Sequence, residues 1–396
     1  MTNRLISTVL IISIVSIGST YVKLYPVFFT VFCILCVLNC IELQKNILIT
    51  SLALMSAVLF ATLINVNQAF DLTAFSKFFV NIVFFIFCAS YCQHISRREV
   101  IGIFSFSAFI FLSLSFMQAV FLVAVESLWN LPFRQGDSSV YYFIQDAGRI
   151  YFGDQNKNIW ASKVAIFLII SLFCGYSSRV FKVQYLLSLI FGAFCLVYVS
   201  SRTAQLAVLA FLAGLFFYHI WVVKRWRILS IALAMLTLYA VVYVASFLMR
   251  VNYADIFSVL TEQKVQNHGD GLLARIIIWK YIFMNVNLMD YISGNGVLSF
   301  PFYTGGTFYE NNPHNVFLNI LLDFGLVAFV LYFILLWLVF RGGGGKFVMM
   351  GPFVVIASSQ YLGYDAELLI FFAFVMAIGS KNFLKYPMRE QEIHGG

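Results

Sequence analysis

Apolar residues along this chain gather into long runs separated by short polar breaks, and each run is too long for a strand and too uniform for a one-sided soluble helix. Stretches able to cross a hydrocarbon layer fall at 5–21, 24–41, 47–65, 73–92, 100–125, 159–175, 183–199, 203–222, 228–249, 315–340, 347–363 and 366–380. The pattern predicts an all-α polytopic membrane protein of about twelve transmembrane helices, with 1–396 forming a single membrane domain. Two polar intervals are much longer than the rest, 126–158 and 250–314, the second lying between the ninth and tenth spans. Both are rich in aromatic residues, which argues for folded loops rather than disorder. The first apolar run follows Met1–Arg4 without a small-residue cleavage pattern, so it reads as the first span and not as a cleaved signal.

Charge orients these spans. With a cytoplasmic N-terminus, the cytoplasmic segments hold Arg4, Lys45, Arg97, Arg98, Arg179, Lys182, Lys224, Arg225, Arg227, Arg341, Lys346, Lys381, Lys385 and Arg389. The short opposite loops hold only Lys23, Lys77 and Arg202. Fourteen against three is a strong positive-inside bias, and it predicts cytoplasmic termini and long loops on the other side. The net charge of +8 belongs to this bias, because the basic residues are dispersed rather than gathered into a nucleic-acid patch.

Composition removes several function classes. Only 11% of residues are charged against 62% hydrophobic, and the mean hydropathy is +0.90, far from a soluble protein. The seven cysteines lie in or beside apolar runs without an acidic or histidine cluster, so no metal, no cofactor and no disulfide framework is expected. The run RGGGGK at 341–346 lacks the phosphate-loop spacing and reads as a flexible cytoplasmic turn.

Three basic residues remain to be explained on the non-cytoplasmic side. Arg202, in Ser200-Ser201-Arg202-Thr203-Ala204-Gln205-Leu206, would sit in the first turn of the eighth span behind a serine cap, where the helix dipole disfavours a cation unless an anion is near. Snorkelling to lipid headgroups is the other reading. Arg275 follows Asp270, a plausible N-cap for a short interfacial helix near 271–284, and shares a face with Trp279 one turn on. That pair would make a cation–π contact, or present a guanidinium fork to phosphate beside an aromatic platform for a sugar. His314 follows Asn312 and Pro313, which suit a cap and a first helical position, so it is expected in the first turn of the tenth span. The dipole there would keep its imidazole neutral, as a general base requires, although a lone histidine is more often structural. His94, His219 and His394 take that structural reading.

Together these motifs resemble those of the O-antigen ligase and O-antigen polymerase superfamily of bacterial membrane glycosyltransferases. The likeness rests on Ser201-Arg202 with Leu206, on Arg275 with Trp279, on His314-Asn315 with Leu318, and on their order along the topology. It implies a metal-independent glycosyltransferase of GT-C-type architecture, with a large periplasmic loop between helices nine and ten. The implied setting is the bacterial inner membrane with a periplasmic active site. The implied donor is an undecaprenyl-diphosphate-linked oligosaccharide. Arg202 and Arg275 would hold its diphosphate, Trp279 and Asn315 would line the substrate, and His314 would take the acceptor proton. The acceptor would be another lipid-linked repeat unit for a polymerase, the preferred reading, or lipid A-core for a ligase. Membrane lipid is an implied partner, a chain-length regulator is left open as another, and nucleic acid is not expected.

Two departures from the family pattern stand out. Glu followed by Gly, common on the helix after the histidine, is here Asp323 with Gly325, and Asn-Pro-Asn is here Asn156-Lys157-Asn158. A transporter or flippase is the alternative from another class. It predicts ionisable residues in midspan, whereas the charges here gather at helix ends, with Lys163 the nearest exception.

Overall fold

A computed structural model describes residues 2–18, 24–65, 72–129, 157–178, 183–199, 201–219, 272–300, 313–342, 344–358 and 363–379. The regular elements among them are helical: α1 (Thr2–Ser16), α2 (Tyr25–Leu38), α3 (Lys45–Ile64), α4 (Leu72–His94), α5 (Arg97–Trp129), α6 (Lys157–Ser178), α7 (Val183–Val199), α8 (Arg202–Tyr218), α9 (Leu272–Asn285), α10 (Leu288–Ser293), α11 (Val316–Phe340), α12 (Gly344–Ala357) and α13 (Ala366–Gly379). Helices satisfy every backbone group internally, which hydrocarbon demands. Five of them, α3 to α6 and α11, are long and apolar enough to cross a membrane, and six more are shorter apolar helices. The protein is therefore an all-α, multi-pass membrane protein. Every predicted span coincides with one of these helices except 228–249, which lies outside the described residues.

Among the described residues, the bundle is built around α13. From Ala366 to Ile378 every residue of α13 is buried, packed among α4, α5, α6, α11 and α12. Peripheral helices instead bury one side and expose the other. In α2, Phe29, Phe32 and Cys36 face inward while Val27, Val31, Ile34 and Val37 are exposed. Apolar exposure repeated at helical spacing is the lipid-facing side of a membrane helix.

Charged groups pin the start of α13. Lys77 near the start of α4 donates to Asp365 at 2.5 Å, and Lys163 of α6 lies 3.8 Å from Glu367, both members of the latter pair being buried. Asn81 of α4 donates to the Tyr364 carbonyl, and the Tyr332 hydroxyl of α11 donates to the Gly363 carbonyl. These contacts bring the starts of α4, α6 and α13 to one end of the bundle, and Gly363 packs against Val316 at the start of α11.

One expectation is corrected, and one span is interrupted. The glycine run is not simply a turn: α11 ends at Phe340, and α12 already begins at Gly344 and includes Lys346. The tenth span is not one straight helix either. Gly325 has φ 80° and breaks α11, because its backbone meets that of Gly294 in the turn after α10. A Cβ on Gly325 would lie 2.5 Å from the Ile292 carbonyl oxygen, and one on Gly294 would lie 2.5 Å from the Phe324 carbonyl carbon. Both positions carry positive φ, so glycine serves conformation and clearance together.

Candidate active site

Arg202 opens α8 as its first residue, with Ser201 in an extended conformation as the N-cap. Position agrees with the sequence reading, but the serine makes no capping hydrogen bond, and its buried hydroxyl has no partner among the described residues. The first backbone N–H groups of a helix have no intrahelical acceptor and carry the positive end of its dipole, so this terminus offers donors to an anion. Arg202 itself is exposed.

Arg275 reaches the same helix end from α9. Its Nη1 donates to the Ser358 carbonyl at 2.8 Å and approaches the Thr203 hydroxyl at 3.4 Å. Thr203 is the neighbour of Arg202, so two guanidinium-bearing residues from segments 73 positions apart in the chain converge on the first turn of α8. Asp270, the N-cap expected for the short helix, lies outside the described residues, and α9 is described from Leu272.

Trp279, one turn after Arg275, points elsewhere. Its indole Nε1 donates to the Pro313 carbonyl at 2.7 Å, joining α9 to the residue before His314. Beneath it, Ile278, Ile282 and Val286 pack with Phe300, Leu318 and Leu322, a satellite core between α9 and the first turns of α11. Arg275 and His314 therefore belong to two elements docked on one another.

His314 is not in a helix. α11 starts at Val316, and Asn315 is its N-cap, with Oδ1 accepting from Phe317 N at 2.9 Å and Leu318 N at 3.1 Å. Asn312 and Pro313 suit a cap and first turn, but Asn315 suits a cap equally and satisfies two otherwise orphaned donors. This moves His314 out of the first turn into a left-handed conformation, φ 52°, and removes the expected dipole argument for a neutral ring. A non-glycine residue at positive φ is strained, and such strain collects at functional sites. The side chain is 3% exposed. For Asn315, the carbonyl oxygen is committed to the helix, so its first task is to hold the turn that presents His314.

Sequence reasoning missed the groups that hold these residues. Ser358, which anchors Arg275, lies 83 positions away in a segment of no local distinction. In the sequence Asp323 stands out only as a departure from the family pattern. It is 1% exposed, and its carboxylate accepts from Leu298 N, Ser299 N, Ser299 Oγ and Asn319 Nδ2 at 2.8 to 3.2 Å. Of the histidines assigned to structure, His94 meets the Glu42 carbonyl and His219 the Tyr176 hydroxyl, while His394 is outside the described residues.

Residues 187–333, which span Arg202, Arg275 and His314, match the family model described as O-antigen ligase. Over that segment the chain is similar to the O-antigen ligase and polymerase superfamily. No curated protein matches the chain. That family implies glycosyltransferase-like activity on lipid-linked polysaccharide. All three basic candidates lie inside the ligase-family segment, whereas Ser358 and the α13 charges lie beyond it.

Proposed function

We propose that this protein is an O-antigen, or related surface-polysaccharide, polymerase of the inner membrane. It transfers a glycan from undecaprenyl diphosphate to another lipid-linked repeat unit at the periplasmic face. The observation that carries the reading is the approach of Arg275 to the first turn of α8 beside Arg202. A lipid diphosphate seated there meets two guanidinium groups and unpaired helix N–H donors, which offset charge as the anomeric bond breaks. His314 takes the proton of the acceptor hydroxyl, whose oxygen attacks the anomeric carbon. The bond from that carbon to the phosphate oxygen breaks, and the diphosphate leaves with the electron pair. No metal is needed in this scheme, because the arginines do the neutralising. Trp279 fixes the Pro313 carbonyl beside His314, and Asn315 holds the His314 turn.

Ligation to lipid A-core is the second reading, and the family match does not separate the two. Both reactions share the leaving group, so Arg202, Arg275 and His314 serve either. Deletion separates them: the polymerase reading predicts a single repeat unit on lipid A-core. Loss of every core-attached repeat, with lipid-linked polymer accumulating, rejects polymerase in favour of ligase. Transport is disfavoured because the charged pairs described gather where helices begin.

A further inference from the structure

We propose that Asp323 is a positioning residue for glycosyl transfer, its carboxylate clamping the 294–299 turn to α11 and so fixing Arg275 relative to His314. The inference rests on the functional reading above. It begins with the connectivity of α9, which runs through Asn287 into α10 and then into the turn at 294–299. The polar contacts of that turn with α11 converge on one region. The Asp323 carbonyl accepts from Asn295 N and Gly296 N, and its carboxylate accepts from Leu298 N, Ser299 N and Ser299 Oγ. Asn295 Nδ2 adds bonds to the Leu322 and Asp290 carbonyls.

The turn does not hold this shape by itself. Leu298 has φ 60°, and Gly294 and Gly296 have positive φ, so the segment is bent into conformations that need outside support. The carboxylate supplies it with acceptors alone: four donors meet two oxygens in a buried setting. At its other end α9 is tied to the residue before His314 by the Trp279 indole. The unit bearing Arg275 is thus fastened at two points to α11 and the turn that precedes it, where His314 sits, one at each end of the Ile278, Ile282 and Leu318 core. Releasing the Asp323 end leaves Arg275 attached but free to tilt, and misplacement by about 1 Å costs on the order of a hundredfold in rate.

An amide at 323 cannot replace the acid. Oδ1 serves Ser299 N and Oγ, while Oδ2 serves Leu298 N and Asn319 Nδ2, so Asp323→Asn turns an N–H₂ toward one of these donor pairs. Ser299→Ala removes one donor and spares the rest. The test uses full-length protein in lipid nanodiscs, with amide exchange across 294–299 and steady-state transfer from undecaprenyl-diphosphate glycan, each normalised to folded protein. Asp323→Asn should speed exchange in the turn by about tenfold or more. It should lower kcat by about tenfold or more, with KM for the donor within about threefold. Ser299→Ala should fall between it and wild type in both readouts. Ile6→Ala, in the distant core of α1, should lower the melting temperature without moving kcat per folded molecule. Retained protection in Asp323→Asn, or lost protection with wild-type kcat, overturns the positioning role alone. Wild-type protein that transfers nothing overturns the functional reading, and the catalytic half of this inference with it.

Discussion

Asn315 shows how one side chain sets the stage for another. Its Oδ1 takes two of the first N–H groups of α11, which stops the helix there and leaves His314 in the strained turn before it. Asn315→Ala should lower unfolding stability by about 1 kcal/mol, whereas Asn315→Asp, which keeps the acceptor, should preserve it; thermal melts in detergent read the difference. Arg275 allows a similar ranking of contacts. The 2.8 Å bond to the Ser358 carbonyl is short and the 3.4 Å approach to Thr203 is at the limit of hydrogen bonding, so Ser358 is the anchor. Thr203→Val should therefore reduce glycan transfer by less than about threefold, while Arg275→Ala should abolish it. A fall as large for Thr203→Val as for Arg275→Ala would contradict that ranking.

Among elements, the crossing of the turn after α10 with α11 is the tightest contact in the site. Gly294 and Gly325 meet backbone to backbone at positive φ, so Gly325→Ala must displace the Ile292 carbonyl and adopt a conformation alanine disfavours. It should destabilise the protein by about 1–3 kcal/mol, read by denaturant unfolding in micelles, with Gly294→Ala similar. What the sequence could tell about these elements follows from the range of each interaction. The spans are legible because apolar length is a property of each segment taken alone, and Arg202, Arg275 and His314 were singled out because motif and helix end coincide locally. The start of α11 was misplaced because Asn312-Pro313 and Asn315 are both good local starts, and only geometry chooses between them. Ser358 and the Asp323 network escaped because nothing beside them in the chain names a partner far along it. The turn signal of Gly294-Asn295-Gly296 was present in the sequence, and an acid within a span was the other half of that clue.

In the whole molecule, the fully buried α13 needs its first turn held in register, and the Lys163–Glu367 pair does this within the protein interior. Lys163→Met should destabilise by about 3–5 kcal/mol, since it removes a cation 3.8 Å from the buried Glu367 carboxylate. Lys163→Met with Glu367→Met should recover most of that loss, as measured by thermal unfolding of the purified protein; a double variant no better than the single would refute the pairing. The central claim is that Arg202 at the start of α8, Arg275 of α9 and His314 just before α11 serve one transfer reaction. Its most direct measurement is glycan transfer from purified undecaprenyl-diphosphate glycan by reconstituted protein. The account predicts transfer by wild type and none by Arg202→Ala, Arg275→Ala or His314→Ala; full activity in all three variants would contradict it.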